Sequence, residues 1–359
     1  MSHVIAAAGT GGHVFPGLSV GEALVEMGVD RSSVLYIGGD RLESTVYPNE
    51  GFPFLGLELR GLQRSLTVDN LKIPAVVMKA KKQIEHALIQ RRVGSVLALG
   101  GYVTVPAALA ARKLGVPLFI AEQNAEAGLA NRIATRWARR TFLSFPDTGG
   151  LRDGDWVGNP VRPPFWSFDR NALREEALSR YELDGRLPVL GVFGGSLGAG
   201  AVNDAVADML IGWRGKPLQV VHLAGGSHVE KLSALEPTGP VVWRRMSFED
   251  SMDQFYAAAD LVVARAGGAV AELSATGTPS VLVPGRFGSS GHQAGNARFF
   301  TDEGAAVTIE EESLDTLGSV VESLIFDSAR LGRLASNARR IAKPDAAHTI
   351  ARAMMGEDE

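Results

Sequence analysis

The stretch AAAGTGGHVFPGLSV (residues 6–20) decides how the chain folds. An apolar run, residues 4–8, stops at three glycines within four positions, Gly9, Gly11 and Gly12. His13, Pro16, Gly17 and an apolar pattern of helical period follow. A buried strand that meets glycines and then a helix is the βα turn of a parallel sheet. Glycine lets the backbone turn tightly, and the N–H groups at the start of the helix form an anion site. His13 is extra to that device, because a loop that only cradled phosphate would need no side chain there.

The rest of the chain repeats the pattern. Short apolar runs at 34–37, 96–99, 118–120, 189–193, 219–223, 261–263 and 281–283 read as strands buried on both faces of a parallel sheet. Helical patterns at 16–27, 106–114 and 270–276 lie between them. Glycine is in excess, 42 of 359 residues against a usual ~7%. The excess gathers at IGGD, LGGY, FGGSLGAG, LAGGS and RAGG, mostly at the ends of those runs. The alternation predicts doubly wound α/β domains. VFGGSLGAG (192–200) echoes the first turn, so two Rossmann-like domains are expected, divided within GNPVRPPFW (158–166), where Pro160, Pro163 and Pro164 break helix.

Composition limits the function classes. Hydrophobic residues are 45%, charged residues 21% and the net charge is −4, a globular balance not built to coat nucleic acid. The lack of cysteine excludes disulfides, thiolate nucleophiles and Cys-ligated metal. No window holds 18 uncharged apolar residues, and the first residues lack a basic n-region. The expectation is a cytosolic chain without a spanning helix or signal peptide. There is no P-loop, and Val14 breaks G-x-G-x-x-G at its third glycine. Asp40, after the second strand, leaves a dehydrogenase open. Asp153 and Asp155 offer a weak metal-binding pair. GGSLGAG (194–200), with the Ser196 hydroxyl, is a candidate diphosphate cradle.

Seven segments together resemble the MurG family of cell-wall glycosyltransferases: GTGGHVFPGL (9–18), LGGYVTVPAALAA (99–111), EQNAEAGLANR (122–132), VGNPVR (157–162), FGGSLGA (193–199), RAGGAVAEL (265–273) and HQAGNA (292–297). They run in family order over nearly the whole chain. The resemblance implies the GT-B fold: two Rossmann-like, doubly wound domains facing across a cleft. Residues 1–162 would form an acceptor- and membrane-facing domain and 163–343 a UDP-sugar domain, with a last helix, about 344–359, packing back on the first. It implies an inverting hexosyltransferase that moves N-acetylglucosamine from UDP-N-acetylglucosamine to lipid I, making lipid II, without metal or cofactor.

By motif match, Ser196 would meet the diphosphate and the segment at Phe248 and Glu249 would frame uracil. Gly267, Gly268, Ala269, Val270, Ala271 and Glu272 would carry a helix start and a ribose-binding carboxylate. Gln293 and Asn296 would address sugar hydroxyls. Thr10, Gly11, Gly12, Asn124 and Arg162 would contribute from the first domain and linker, with Tyr102 on the acceptor side. An acceptor hydroxyl needs a general base, and histidine suits neutral pH. His13 is one candidate and Glu122 the other.

The chain departs from the family pattern at Ala121, Val105 and His292. The segment 71–92 places Ile73, Val76, Val77 and Met78 among Lys72, Lys79, Lys81, Lys82, Arg91 and Arg92, a composition suited to anionic lipid. The resemblance favours a peripheral protein at the cytoplasmic face of the membrane, working in cell-wall synthesis, shape and division beside other cell-wall proteins, with no nucleic-acid partner. Other readings are a different glycolipid glycosyltransferase, a UDP-N-acetylglucosamine 2-epimerase of the same fold, a NAD-dependent oxidoreductase, or a sugar-nucleotide sensor.

Overall fold

The structure, a computed structural model, describes residues 1–58, 73–195, 199–285 and 291–357. Leu71, Lys72, the Ile73 side chain and Ser196 lie outside the described residues. The chain forms two compact units, Met1–Pro163 with Pro344–Glu359, and Pro164–Lys343.

The first unit is built on strands β1 (Ser2–Ala6), β2 (Val34–Gly38), β3 (Phe54–Gly56), β4 (Val93–Ala98), β5 (Leu118–Glu122), β6 (Arg140–Leu143) and β7 (Asp155–Trp156). They form one parallel sheet in the order β3-β2-β1-β4-β5-β6-β7. Every residue of β2 and β5 is buried, as a strand covered by helices on both faces requires. The core on one face joins Val4, Ile37, Val96 and Ile120 to Ala107 and Ala111 of the helix Thr104–Leu114 and Ile84 of the helix Ile73–Gln90. Across the sheet, the Tyr36 hydroxyl donates to Gly17 O at 3.0 Å, and it fills the space a Cβ at Gly21 would need. That contact seats the helix Gly11–Glu26 on β2. The last helix, Ala346–Met355, packs against Gly11–Glu26, with His348 Nε2 2.8 Å from Glu26 Oε2.

The second unit repeats the plan with β8 (Val189–Phe193), β9 (Leu218–Leu223), β10 (Val241–Met246), β11 (Leu261–Ala264), β12 (Ser280–Leu282) and β13 (Ala306–Thr308). These too are parallel, in the order β10-β9-β8-β11-β12-β13. Leu190, Val192, Val220, Val263 and Val281 face Val206, Leu210 and Val321 in its core. Both sheets therefore have the doubly wound Rossmann order.

Two local readings need correction. The first strand spans Ser2–Ala6 rather than 4–8. Ala7 and Ala8 extend beyond it, buried, with Ala7 N still bonded to Ile37 O at 3.1 Å. The first helix begins at Gly11, not near Pro16, because the extended Thr10 offers its carbonyl to both His13 N and Val14 N. Pro16 thus lies inside the helix, and the Gly-Gly-His triplet is the first turn itself.

Candidate functional site

In a doubly wound sheet, ligands bind beyond the carboxyl ends of the strands at the point where the strand order reverses. In the first unit that point lies between β1 and β4, and the turns leaving them carry the GTGGH and GGY motifs. Thr10 is extended, at φ −120° and ψ 162°. The N–H groups of Gly11 and Gly12, in the first turn, have no acceptor four residues back within the helix. His13 stands in the same turn and its ring lies against Gly100. A Cβ on Gly100 would fall 2.7 Å from His13 Nε2, and Gly100 has φ +118°. Glycine at 100 thus supplies both the backbone shape and the room for the imidazole.

Arg162 lies on the same side of the unit. Its guanidinium sits 5.6 Å from the Phe15 ring centre, and that ring borders Gly11. The Tyr102 hydroxyl is turned to Glu43, donating to Oε1 at 2.9 Å. Burial, and then the Glu43 carboxylate, push its phenol well above the ordinary range, so it stays a donor. Sequence reasoning passed over Glu43. Its only signal is the glycine pair of IGGDRLE a few residues before it.

Glu122 ends β5 and is 2% exposed. Oε1 accepts from Asn124 N at 3.0 Å and from Asn124 Nδ2 at 3.2 Å. Oε2 accepts from Gly128 N at 3.0 Å and Asn131 Nδ2 at 2.8 Å. Four donors on one buried carboxylate make it the organiser of the 123–131 turn, and Asn124 belongs to the same network.

In the second unit the order reverses between β8 and β11. Gly195, in the turn after β8, has φ +91°. The turn after β11 leads through Gly267 and Gly268 into the helix Ala269–Thr276, with Glu272 in its first turn. The Tyr256 hydroxyl donates to Glu272 Oε2 at 3.0 Å, fixing a half-buried carboxylate. Arg265, ahead of the glycines, is clamped by Glu311 and donates to Val283 O. Val270 is buried, so only its backbone is available to a ligand, whereas Ala269 and Ala271 are partly open.

Gln293 Oε1 accepts from Gly285 N at 2.8 Å, beside Gly267. Asn296 is buried and donates to Ala266 O at 3.0 Å, which makes it a brace of the glycine turn. The Glu249 carboxylate is also buried and accepts from Arg180, Tyr181 and Ser251 N. Burial raises its pKa, but those donors outweigh it and hold the carboxyl below the usual range. The side chain therefore props its turn, beside the exposed ring of Phe248.

Among the described residues, no three His, Cys, Asp or Glu side chains come together as metal ligands. Asp155 is paired with Arg140 at 3.0 Å. His3 and His222 are buried in the two sheets, bonded to Ser95 and Asn203, and burial lowers them to about 4 and about 3. On the helix Ile73–Gln90, Ala80, Ile84 and Leu88 face the core and Val76 packs beside them. This corrects the membrane reading of Val76. Lys81 is held by Glu85. Met78, Lys79, Lys82 and Ile89 are among its exposed residues, with Lys79 paired to Glu58 at 2.8 Å, and Arg91 and Arg92 follow.

Two doubly wound domains with glycine turns, and no P-loop, at each reversal point are the architecture of two-Rossmann-domain glycosyltransferases. The chain belongs to glycosyltransferase family 28, whose N-terminal domain matches residues 3–143 and whose C-terminal domain matches residues 189–350. The UDP-N-acetylglucosamine--N-acetylmuramyl-(pentapeptide) pyrophosphoryl-undecaprenol N-acetylglucosamine transferase of Cupriavidus pinatubonensis is 37% identical over 97% of this chain and 96% of its own length. The enzyme of the same name from Acidithiobacillus ferrooxidans is 39% identical over 98% and 96%. The crystal structure of Acinetobacter baumannii MurG superposes with a TM-score of 0.81 at 29% identity, covering 99% of this chain and all of that one. The calicheamicin glycosyltransferase CalG4, TM-score 0.68 at 16% identity and 99% coverage of each chain, shares the fold.

Proposed function

We propose that this chain transfers N-acetylglucosamine from UDP-N-acetylglucosamine to the MurNAc 4-hydroxyl of lipid I, undecaprenyl-diphosphate-MurNAc-pentapeptide, to give lipid II. The observation that carries this reading is the match, over nearly its whole length, to transferases named for that reaction. Geometry supplies the chemistry. The helix start at Gly268 and the Glu272 carboxylate suit the donor: the carboxylate accepts from the ribose hydroxyls, and backbone N–H groups and the helix dipole stabilise charge growing on the departing diphosphate. His13 takes the proton from the acceptor hydroxyl as its oxygen bonds to the anomeric carbon. The bond from that carbon to the diphosphate oxygen breaks and UDP leaves. One displacement inverts the centre, from an α-linked donor to a β-linked product.

Glu122 already serves four donors in its own turn, so we assign it the shaping of that turn and leave the base role to His13. Thr10, Gly11, Gly12, Tyr102 and Arg162 border the acceptor side. Among the described residues no helix is long and apolar enough to cross a membrane. The outward face of the helix Ile73–Gln90, with Met78, Ile89 and the basic groups beside them, suits shallow contact with an anionic bilayer on its cytoplasmic side.

The test is incubation with labelled UDP-N-acetylglucosamine and a lipid I analogue, with identification of the product. His13→Ala should lower kcat by roughly 100- to 10,000-fold and leave UDP affinity intact. Epimerised UDP-sugar in place of a disaccharide product would overturn the reading in favour of the epimerase.

A further inference from the structure

Glu43 is a fully buried carboxylate at the start of the helix Glu43–Asn49, just after β2. Oε1 accepts from Gly39 N at 3.0 Å and from the Tyr102 hydroxyl at 2.9 Å. Oε2 accepts from Gly9 N at 3.3 Å. One side chain therefore ties together the turns that leave β1, β2 and β4. The glycine pair of IGGD makes room for it. A Cβ on Gly38 would fall 2.5 Å from Glu43 Cγ, and a Cβ on Gly39 would overlap the Tyr102 hydroxyl.

Burying a carboxylate is expensive unless its oxygens are satisfied, and an apolar group of similar volume often serves stability as well. The location of the ties therefore matters more than their number. Gly9 is the residue before Thr10, whose carbonyl begins the helix that carries His13. Tyr102 closes the turn containing Gly100, the surface against which the His13 ring rests.

We propose that Glu43 is a positioning residue for the transfer: by joining Gly9 to Tyr102 it fixes the His13 imidazole against Gly100. The proposal rests on His13 being the base, as read above. Glu43→Gln keeps the volume but turns an N–H₂ toward one of the three donors, so one tie is lost. Hydrogen exchange followed by mass spectrometry should then show faster exchange in peptides covering residues 8–14 and 99–105, with the second unit unchanged. On the lipid I analogue kcat should fall roughly 10- to 100-fold, the effect of a small displacement of a catalytic group, while UDP affinity stays that of the parent. In a His13→Ala background, Glu43→Gln should bring no further loss, which a general weakening of the fold would still produce.

Unchanged exchange in both turns, parent-like kcat, or a loss repeated in full in the His13→Ala background would each overturn the proposal. If Glu43→Gln fails to fold, Tyr102→Phe removes a single tie and is judged by the same three measurements. Absence of transfer in the parent protein would overturn the functional reading and with it the catalytic role of Glu43, whereas normal transfer by Glu43→Gln overturns the positioning role alone.

Discussion

Replacing Gly100 by alanine tests the placement of His13 with one methyl group. The added Cβ would lie 2.7 Å from His13 Nε2 and 2.8 Å from Cδ2, whereas ordinary contacts begin near 3.4 Å. The ring must retreat by about 0.7 Å, and misplacement of a catalytic group by ~1 Å can cost ~100-fold in rate. Gly100 also has φ +118°, so alanine there adds backbone strain of about 1–3 kcal/mol. Gly115 separates the two effects. It ends the helix Thr104–Leu114 in the left-handed region, φ +67°, and a Cβ there meets nothing within 4 Å. Gly115→Ala should lower stability by about 1–2 kcal/mol and leave kcat alone. Gly100→Ala should lower stability comparably and kcat by roughly 10- to 100-fold. Both variants are assayed on the lipid I analogue at saturating donor, with melting followed by circular dichroism. If they turn over equally, the imidazole does not work from the position it occupies against Gly100.

Glu272→Ala should weaken UDP binding by about 2–4 kcal/mol, the loss of two charge-assisted hydrogen bonds; unchanged affinity by calorimetry would remove the ribose assignment. Met78→Glu combined with Lys79→Glu and Lys82→Glu should reduce binding to anionic vesicles, each basic group near such a surface contributing about 1 kcal/mol. Retained binding would place the lipid contact elsewhere. His222 is neutral in the fold down to about pH 3, but the unfolded chain protonates it below about 6.5. Its contribution is therefore complete above pH 6.5 and is lost as pH falls toward 3, at up to about 1.4 kcal/mol per pH unit. The stability gap between parent and His222→Gln in urea titrations should narrow over that window, and a constant gap would refute the linkage. Turnover should persist in EDTA, because Asp155 is engaged by Arg140; loss restored by manganese would return Asp153 and Asp155 to consideration.

The interior strands are legible in the sequence because both faces of each are covered, so β8, VLGVF, carries no polar side chain to obscure it. The expected set omits β3, β7, β10 and β13, which are the four edges of the two sheets, together with β6 beside an edge. Edge strands are half-wet, and some are short. β7 is only Asp155–Trp156, and β10 carries Arg244 and Arg245. Pro16 misleads about the helix start because an extended Thr10 sets the first turn five residues earlier. The candidate base His13 is picked out by GTGGH alone. Glu43 is not, since its burial depends on two missing Cβ atoms and on a tyrosine 59 residues away in sequence. Glu249 and Asn296 are legible as motif members, but the direction their side chains take, inward as props, is decided by packing that no local pattern encodes.

The return of the chain to its first unit bears on how the protein is made. The helix Ala346–Met355 packs on Gly11–Glu26, the helix whose opening turn holds His13. A ribosome therefore delivers the sheet of the first unit early, then synthesises the whole of Pro164–Lys343 before the segment that covers this helix is released. At ~5–20 residues per second that interval is on the order of ten seconds or more. During it the apolar face that Ala347, Ile350 and Ala351 will occupy lacks the cover this last helix provides. The second unit is one unbroken segment and can close as soon as it emerges. The unit begun first is thus the one completed last, and a chain stopped short of Pro344 would carry a finished second unit beside an unfinished first.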